Sequence, residues 1–396
     1  MKTLRFEGSG YEYFKIWIVN ILLTIITLGL YYPWAKVRNL RYFYGNALLE
    51  DRRFDYHATG KQLFKAYLIA MLLFIVYVIV QQVFPLGSLA LLAVLFLAIP
   101  WIIWRSMMFS MRMTSFSNVR FGFDGQLGQA YVNFLLLPLL LFICLYLLPI
   151  GAVALIFTGG VQMTAGTGFM VFIGFLLLIA LVAYIFALMK KRNAMYRING
   201  TTYGQGRFSA ELQTKVFLTI TFKTIGLSIL ALVAYIAFIL VVALLSIGID
   251  TLQTIGINAN DPDVIIEALG ASLYVMFIAI YLGVFIFGFS IAAYVYTRHR
   301  NYIANHTLLD EKIALGSTLK ARTLVWVMLS NLVILVFTAG LGLPWTKVRV
   351  ARLILENTQV DTALGFDDYI TQQQSYQSSL GDQIGDAFDV DAGLAI

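Results

Sequence analysis

Eight apolar segments of 17 to 32 residues follow one another along the first 343 positions, at 16–32, 67–83, 86–103, 132–156, 169–188, 216–247, 273–294 and 324–343. A helix needs about 20 apolar residues to cross a hydrocarbon core of ~30 Å, so such a chain belongs in a bilayer. Composition agrees: 60% of the 396 residues are hydrophobic and 12% are charged, against about 45–50% and about 25% in soluble domains. A soluble multidomain enzyme and a disordered chain are both excluded. The expected fold is an all-α polytopic membrane protein. Its second to seventh segments are cleanly bounded spans, and the first and last run into Gly/Pro stretches.

The formal charge of +7 is distributed by topology. All 28 Lys and Arg residues fall in the N-terminal stretch, in alternate loops or near their ends, and in the cluster Lys347, Arg349 and Arg352. The intervening loops near Pro85, at 158–167 and at 250–270 hold none, and the last is acidic. The positive-inside rule makes the basic loops cytoplasmic. All six tryptophans lie at segment ends, where an amphipathic ring suits the headgroup interface. The excess charge therefore speaks for anionic lipid rather than nucleic acid. The N-terminus does not read as a cleaved signal: Glu7 and Glu12 stand among its basic residues, and its first apolar run ends in Tyr-Tyr-Pro-Trp.

The first and last segments are alike. Asn20–Asn46 aligns without gaps to Asn331–Asn357 with 11 of 27 positions identical, including Pro-Trp-x-Lys-Val-Arg-x-x-Arg. Residues 14–46 resemble 325–357 in the same register, so an internal duplication is expected within a membrane domain of residues 1–352. An Arg also precedes an Asn by five to seven residues in each basic loop, followed in most by aromatics and Gly. That pattern suits small cytoplasmic hairpins. Eight crossings would put both termini outside, against the rule, because the first long loop is basic. Three readings follow: eight ordinary spans with the first and last oppositely directed, as in transporter repeats; six spans with two re-entrant segments broken at Gly29–Pro33 and Gly340–Pro344; or one terminal segment of each kind.

The run Gly29-Leu-Tyr-Tyr-Pro-Trp-Ala-Lys-Val-Arg-Asn-Leu-Arg-Tyr-Phe-Tyr-Gly-Asn46, with Phe54-Asp-Tyr-His57 after it, resembles the YjgN-like family of bacterial inner membrane proteins. The resemblance covers essentially the whole chain. It implies a multi-pass protein of the bacterial inner membrane. The family has no assigned function, so the resemblance implies no substrate and no catalytic residue.

Chemistry is sparse. The chain lacks a Gly-x-Ser-x-Gly, a His-Glu-x-x-His or a phosphate loop, and it holds one cysteine and three histidines. No enzyme activity, metal or other cofactor is expected. Asp55, His57 and Thr59 share a strand face but match no nucleophile pattern. No carboxylate is central in an apolar segment, which argues against proton coupling through one. Lys223 lies about two turns inside the sixth segment, as a snorkelling residue or a cation facing a cavity. It is accompanied by Thr219, Thr221, Thr224 and Ser228. The candidate solute or headgroup site comprises Asn20, Pro33, Trp34, Lys36, Arg38 and Arg41, their counterparts Asn331, Pro344, Trp345, Lys347, Arg349 and Arg352, and Lys223. The leading expectation is a transporter or channel-like protein for a small solute. The alternative is a non-transporting, lipid-interacting protein that binds anionic headgroups at the cytoplasmic leaflet. The tail 353–396 carries eight acidic residues and no basic one, so it is expected to lack structure.

Overall fold

The computed structural model describes residues 1–159, 164–257, 262–362 and 365–376, without the side chains of 247–269, 271 and 272. Two compact units are resolved. The first comprises residues 1–218, 301–319 and 341 onward; the second comprises 219–300 and 320–340.

Ten helices are paired along the chain: α1 (Gly10–Ile26) with α2 (Tyr32–Gly45), α3 (Gly60–Val83) with α4 (Pro85–Arg112), α5 (Leu127–Thr158) with α6 (Ala165–Asn199), α7 (Thr214–Ile257) with α8 (Pro262–Asn305), and α9 (Ala321–Phe337) with α10 (Leu343–Glu356). The middle six carry windows long and apolar enough to cross a membrane. The acidic stretch 250–270 is not all loop: α7 continues to Ile257 and α8 starts at Pro262, while Asp261 lies outside the described residues. α5 is interrupted by π-helical turns at Val132–Leu136 and Ile143–Leu147.

Between the helix pairs the basic loops fold as hairpins. Each joins a three-residue strand to a five-residue strand: β3 (Ala47–Leu49) to β4 (Arg52–Tyr56), β5 (Thr114–Phe116) to β6 (Val119–Phe123), β7 (Thr201–Tyr203) to β8 (Gly206–Ala210), and β9 (Thr307–Leu309) to β10 (Ile313–Ser317). Glu50, Asp51, Ser117, Asn118, Gly204, Asp310 and Glu311 have positive φ, the backbone that tight hairpin turns demand. The hairpins join edge to edge in one sheet. β11 (Thr358–Val360) then pairs with both β10 and β1 (Lys2–Thr3), while β2 (Arg5–Phe6) pairs with β3. β1, Leu4 and β2 are one five-residue stretch, and the Leu4 amide donates to Thr358 O (3.0 Å). Residues 2–6 and β11 thus pair and close the ring. Closure removes the exposed strand edges that invite aggregation.

Ring closure resolves the parity problem. α1 leaves β2 and α2 returns to β3, which pairs with it; the chain between Ser317 and Thr358 likewise starts and ends on paired residues. Both terminal segments therefore enter and leave on the ring side, and the eight-span reading is corrected to six. Their helices are 17 residues each. They end in the same turn, with φ of 50° and 92° at Leu28 and Gly29 and of 48° and 87° at Ala339 and Gly340. Gly29 N donates to Thr24 O (2.7 Å) and Gly340 N to Leu335 O (2.8 Å), a left-handed helix stop that needs glycine at its second position. Leu28, at the tip, is 93% exposed.

The ring's interior is apolar and aromatic. Leu4, Leu49, Phe116, Val119, Tyr203, Leu309 and Ile313 form one cluster with Phe366 and Ile370. The last two belong to a helix at residues 366–376, so the expectation of an unstructured tail is corrected for that stretch. Phe366, Ile370 and Gln373 repeat at helical spacing and are buried, which the acidic composition concealed. Residues 363–364 and 377–396 lie outside the described residues.

In the second unit, Tyr235 of α7 donates to Ile280 O of α8 (3.0 Å). Its ring occupies the space that a β-carbon on Gly283 would take.

Candidate functional site

The paired Pro-Trp-x-Lys-Val-Arg-x-x-Arg motifs open α2 and α10. Pro33 and Pro344 sit in the first turn, where no amide donor is missed, and both are buried. Trp34 packs on α3 against Gly60 and Phe64; Trp345 packs on α1 against Gly10 and Phe14. In each case a glycine opens the helix that receives the indole, and a β-carbon there would overlap the ring.

The arginines serve the backbone. Arg41 donates to Tyr56 O (3.2 Å) and Ala58 O (2.8 Å) in the link from β4 to α3. Arg352 donates to Gly8 O (3.0 Å) in the link from β2 to α1. Arg38 donates to Asn20 Oδ1 and to the Tyr31 hydroxyl, both at 3.2 Å. Asn20, 3% exposed, in turn donates to Asn39 Oδ1 (3.1 Å) and Ala35 O (3.5 Å). Its amide is thus occupied in joining α1 to α2. Asn331 is buried in the second unit. Arg349 is half-buried, while Lys36 and Lys347 are exposed, and neither lysine makes an ion pair among the described residues. Lys223, also in the second unit, is exposed on α7. Thr224 beside it bonds its own helix at Ile220 O (2.8 Å). The candidate residues therefore divide: the indoles, Arg41 and Arg352 hold the terminal segments to neighbouring elements, Arg38 ties α2 to α1, and the two lysines are exposed.

Asp55, His57 and Thr59 do not assemble for catalysis. The Thr59 hydroxyl caps α3 in a reciprocal box with Gln62. His57 Nε2 lies 2.7 Å from Ser115 Oγ, and its other nitrogen is 3.8 Å from Asp55. No group of His, Cys, Asp or Glu among the described residues is placed to hold a metal.

A concavity lies elsewhere, between the loop after β6, the start of α5 and the later turns of α6. It has a volume of about 520 Å³ and is lined by Asp124, Gln126, Gln129, Asn133, Lys191 and Arg192, with Leu188 and Met195 on its apolar side. Sequence reading passed over it. Its signals were an amide just inside an apolar run, glutamines one and two helical turns before it, and the Lys190-Lys-Arg192 run just after the facing apolar segment.

Six helices long and apolar enough to cross a membrane define a multi-pass membrane protein. Residues 1–387 match the family described as "Bacterial protein of unknown function (DUF898)", and the chain belongs to that family. It is 30% identical over 384 residues to "Inner membrane protein YjgN" of Salmonella typhimurium strain LT2, covering 95% of this chain and 93% of that one. It is 28% identical to the proteins of the same name from Escherichia coli O157:H7 and strain K12, covering 89% of this chain and 87% of each relative. No solved structure matches it. With six candidate spans, the protein is a multi-pass inner membrane protein.

Proposed function

We propose that this is a non-transporting, lipid-engaging protein of the inner membrane, whose terminal hairpins insert into the cytoplasmic leaflet and whose ring forms its cytoplasmic base. The observation that carries the reading is the α1–α2 hairpin. It returns to the strand next to its origin, exposes Leu28 at its apolar tip, and leaves Lys36 exposed and without an ion pair among the described residues in the early part of α2. Such a device meets one leaflet and its headgroups. A solute pathway has less support. The ring is filled by Phe116, Tyr203, Phe366 and Ile370, and the six candidate spans contain no Asp or Glu. The reading assigns no catalytic step, and its partners are anionic lipids rather than nucleic acid. We also infer that the ring arose from repeats of one strand–turn–strand and helix-pair unit. The shared motif, the shared turn at Gly29 and Gly340, and the equivalent seats of Trp34 and Trp345 support this.

The test uses the full chain in vesicles of mixed phosphatidylglycerol and phosphatidylcholine, with the lipids retained on the protein counted by native mass spectrometry. A Lys near an anionic surface contributes about 1 kcal/mol. Lys36→Gln with Lys347→Gln is therefore expected to reduce the preference for phosphatidylglycerol roughly fivefold to thirtyfold. An unchanged preference, or saturable flux of a small solute into the same vesicles, overturns the reading.

A further inference from the structure

The cavity between α5 and α6 has the features of a built site. Asn133 is 2% exposed, and its Oδ1 has no hydrogen-bond partner. An orphan acceptor at the head of a membrane helix is costly, and a chain that keeps one has a use for it. Asn133 lies within the first π-helical turn, Val132–Leu136; such turns widen the helix and recur at functional positions. The two cations on the cavity wall, Lys191 and Arg192, make no ion pair among the described residues. The one carboxylate on the wall, Asp124, stands 3.8 Å from Arg207. Other polar groups nearby are engaged: Trp104 Nε1 donates to Gly125 O (2.6 Å), the Tyr196 hydroxyl to Gln126 O (3.2 Å), and Asn199 Oδ1 accepts from Ala210 N (2.8 Å). Trp104 and the Lys-Lys-Arg end of α6 both set the depth at the headgroup layer. A volume of about 520 Å³ falls in the range of small-molecule sites.

Cations without partners call for an anion, and an acceptor without a partner calls for a donor. We infer that this cavity binds a phosphate ester that also carries a hydroxyl or amine, with the phosphate at Lys191 and Arg192 and the donor group at Asn133. Such a compound is either the headgroup of a membrane phospholipid or a soluble phosphate ester. The site uses none of the residues of the terminal hairpins, so it stands apart from their proposed headgroup contact.

The experiment places a reporter on the cavity's apolar side, Met195→Cys in a Cys144→Ser background, in the full chain in detergent. Maleimide labelling is timed with short-chain phosphatidylglycerol, with short-chain phosphatidylcholine, which carries phosphate without a donor, and with sn-glycerol 3-phosphate. Phosphatidylglycerol is expected to slow labelling at least fivefold, and more than phosphatidylcholine does. Lys191→Gln with Arg192→Gln should abolish protection, and Asn133→Leu should erase the difference between the two lipids. Because Asn133→Leu removes an orphan acceptor, it should also hold or raise the unliganded melting temperature, so loss of selectivity with intact folding identifies a ligand contact. Protection by glycerol phosphate as well as lipid supports a soluble ligand, and protection by phosphatidylglycerol alone supports a lipid. Equal protection by both lipids, protection by no probe, or protection that survives the charge substitutions overturns the site. Lys36→Gln with Lys347→Gln should leave protection unchanged, which separates failure here from failure of the hairpin reading.

Discussion

Gly60 and Gly10 begin their helices beneath the indoles of Trp34 and Trp345, and the seat of each ring is the missing β-carbon. Gly60→Ala forces that ring aside; overpacking of this kind costs about 1–3 kcal/mol, so thermal unfolding in detergent should start several degrees lower. Trp34→Phe in the same background should restore part of the loss, because the smaller ring vacates the space. Asn20→Leu is expected to cost a similar amount, about 1–3 kcal/mol, by stripping Arg38 and Asn39 of a buried partner. An unchanged melting temperature would return Asn20 to the role of a pathway residue. At this scale the sequence exposed the indoles, the cations and both asparagines, because their copies align. It did not expose Gly10 and Gly60, because a glycine that starts a helix looks like any other turn residue until the ring above it is placed. It also did not show that Arg41 and Arg352 bind carbonyls, since an arginine's partner is a matter of tertiary geometry.

The helix at residues 366–376 ties the ring's hairpin turns together. Arg52 pairs with Asp367 (2.8 Å), the Tyr369 hydroxyl donates to Asp310 Oδ2 (2.7 Å), Gln205 N donates to Gln373 Oε1 (2.8 Å), and Gln374 donates to Ser117 O (2.6 Å). Burial raises the pKa of Tyr369, and the Asp310 carboxylate raises it further; burial likewise raises that of Tyr203, partly offset by Arg52. A raised acid pKa means the folded state holds its proton when the unfolded state has released it. The contribution is therefore complete below the free tyrosine value of about 10 and declines as pH rises above it. Protease cleavage near residue 376 should stay slow up to about pH 10 and accelerate beyond, and Tyr369→Phe should flatten that rise while weakening the helix at neutral pH. A cleavage rate independent of pH would show that these tyrosines do not hold the element. Eleven residues are too few to hold a helix alone in water, so this one exists through its docking, and a composition argument could not reveal it. The hairpins were legible because their turn residues and alternation are local. Their union into one ring was not, because pairing residue 2 with residue 360 leaves no local trace.

At the scale of the molecule, ring closure and topology are one fact. Each helix pair starts and ends on neighbouring strands, so the number of crossings is even and residues 2–6 and 358–360 share a side with the hairpins. From the basic residues on that side we propose that it faces the cytoplasm. Thr3 and Gln359 face each other across the closing strands, so cysteines at these positions in a Cys144→Ser background should form a disulfide under mild oxidation, joining the two ends of the chain into a covalent loop with altered gel mobility. A cysteine added after Ile396 should react with an impermeant maleimide only in inverted vesicles. A disulfide together with cytoplasmic labelling fits six crossings and a sealed ring. External labelling would require an odd number of crossings between the ring and the tail and would break the closure that pairs β1 with β11. Failure of the cross-link with cytoplasmic labelling would keep the six spans but open the ring at its terminal strands. The helix at residues 366–376 would then lose the closed rim whose turns it binds, and its alkaline release should disappear in the same preparation.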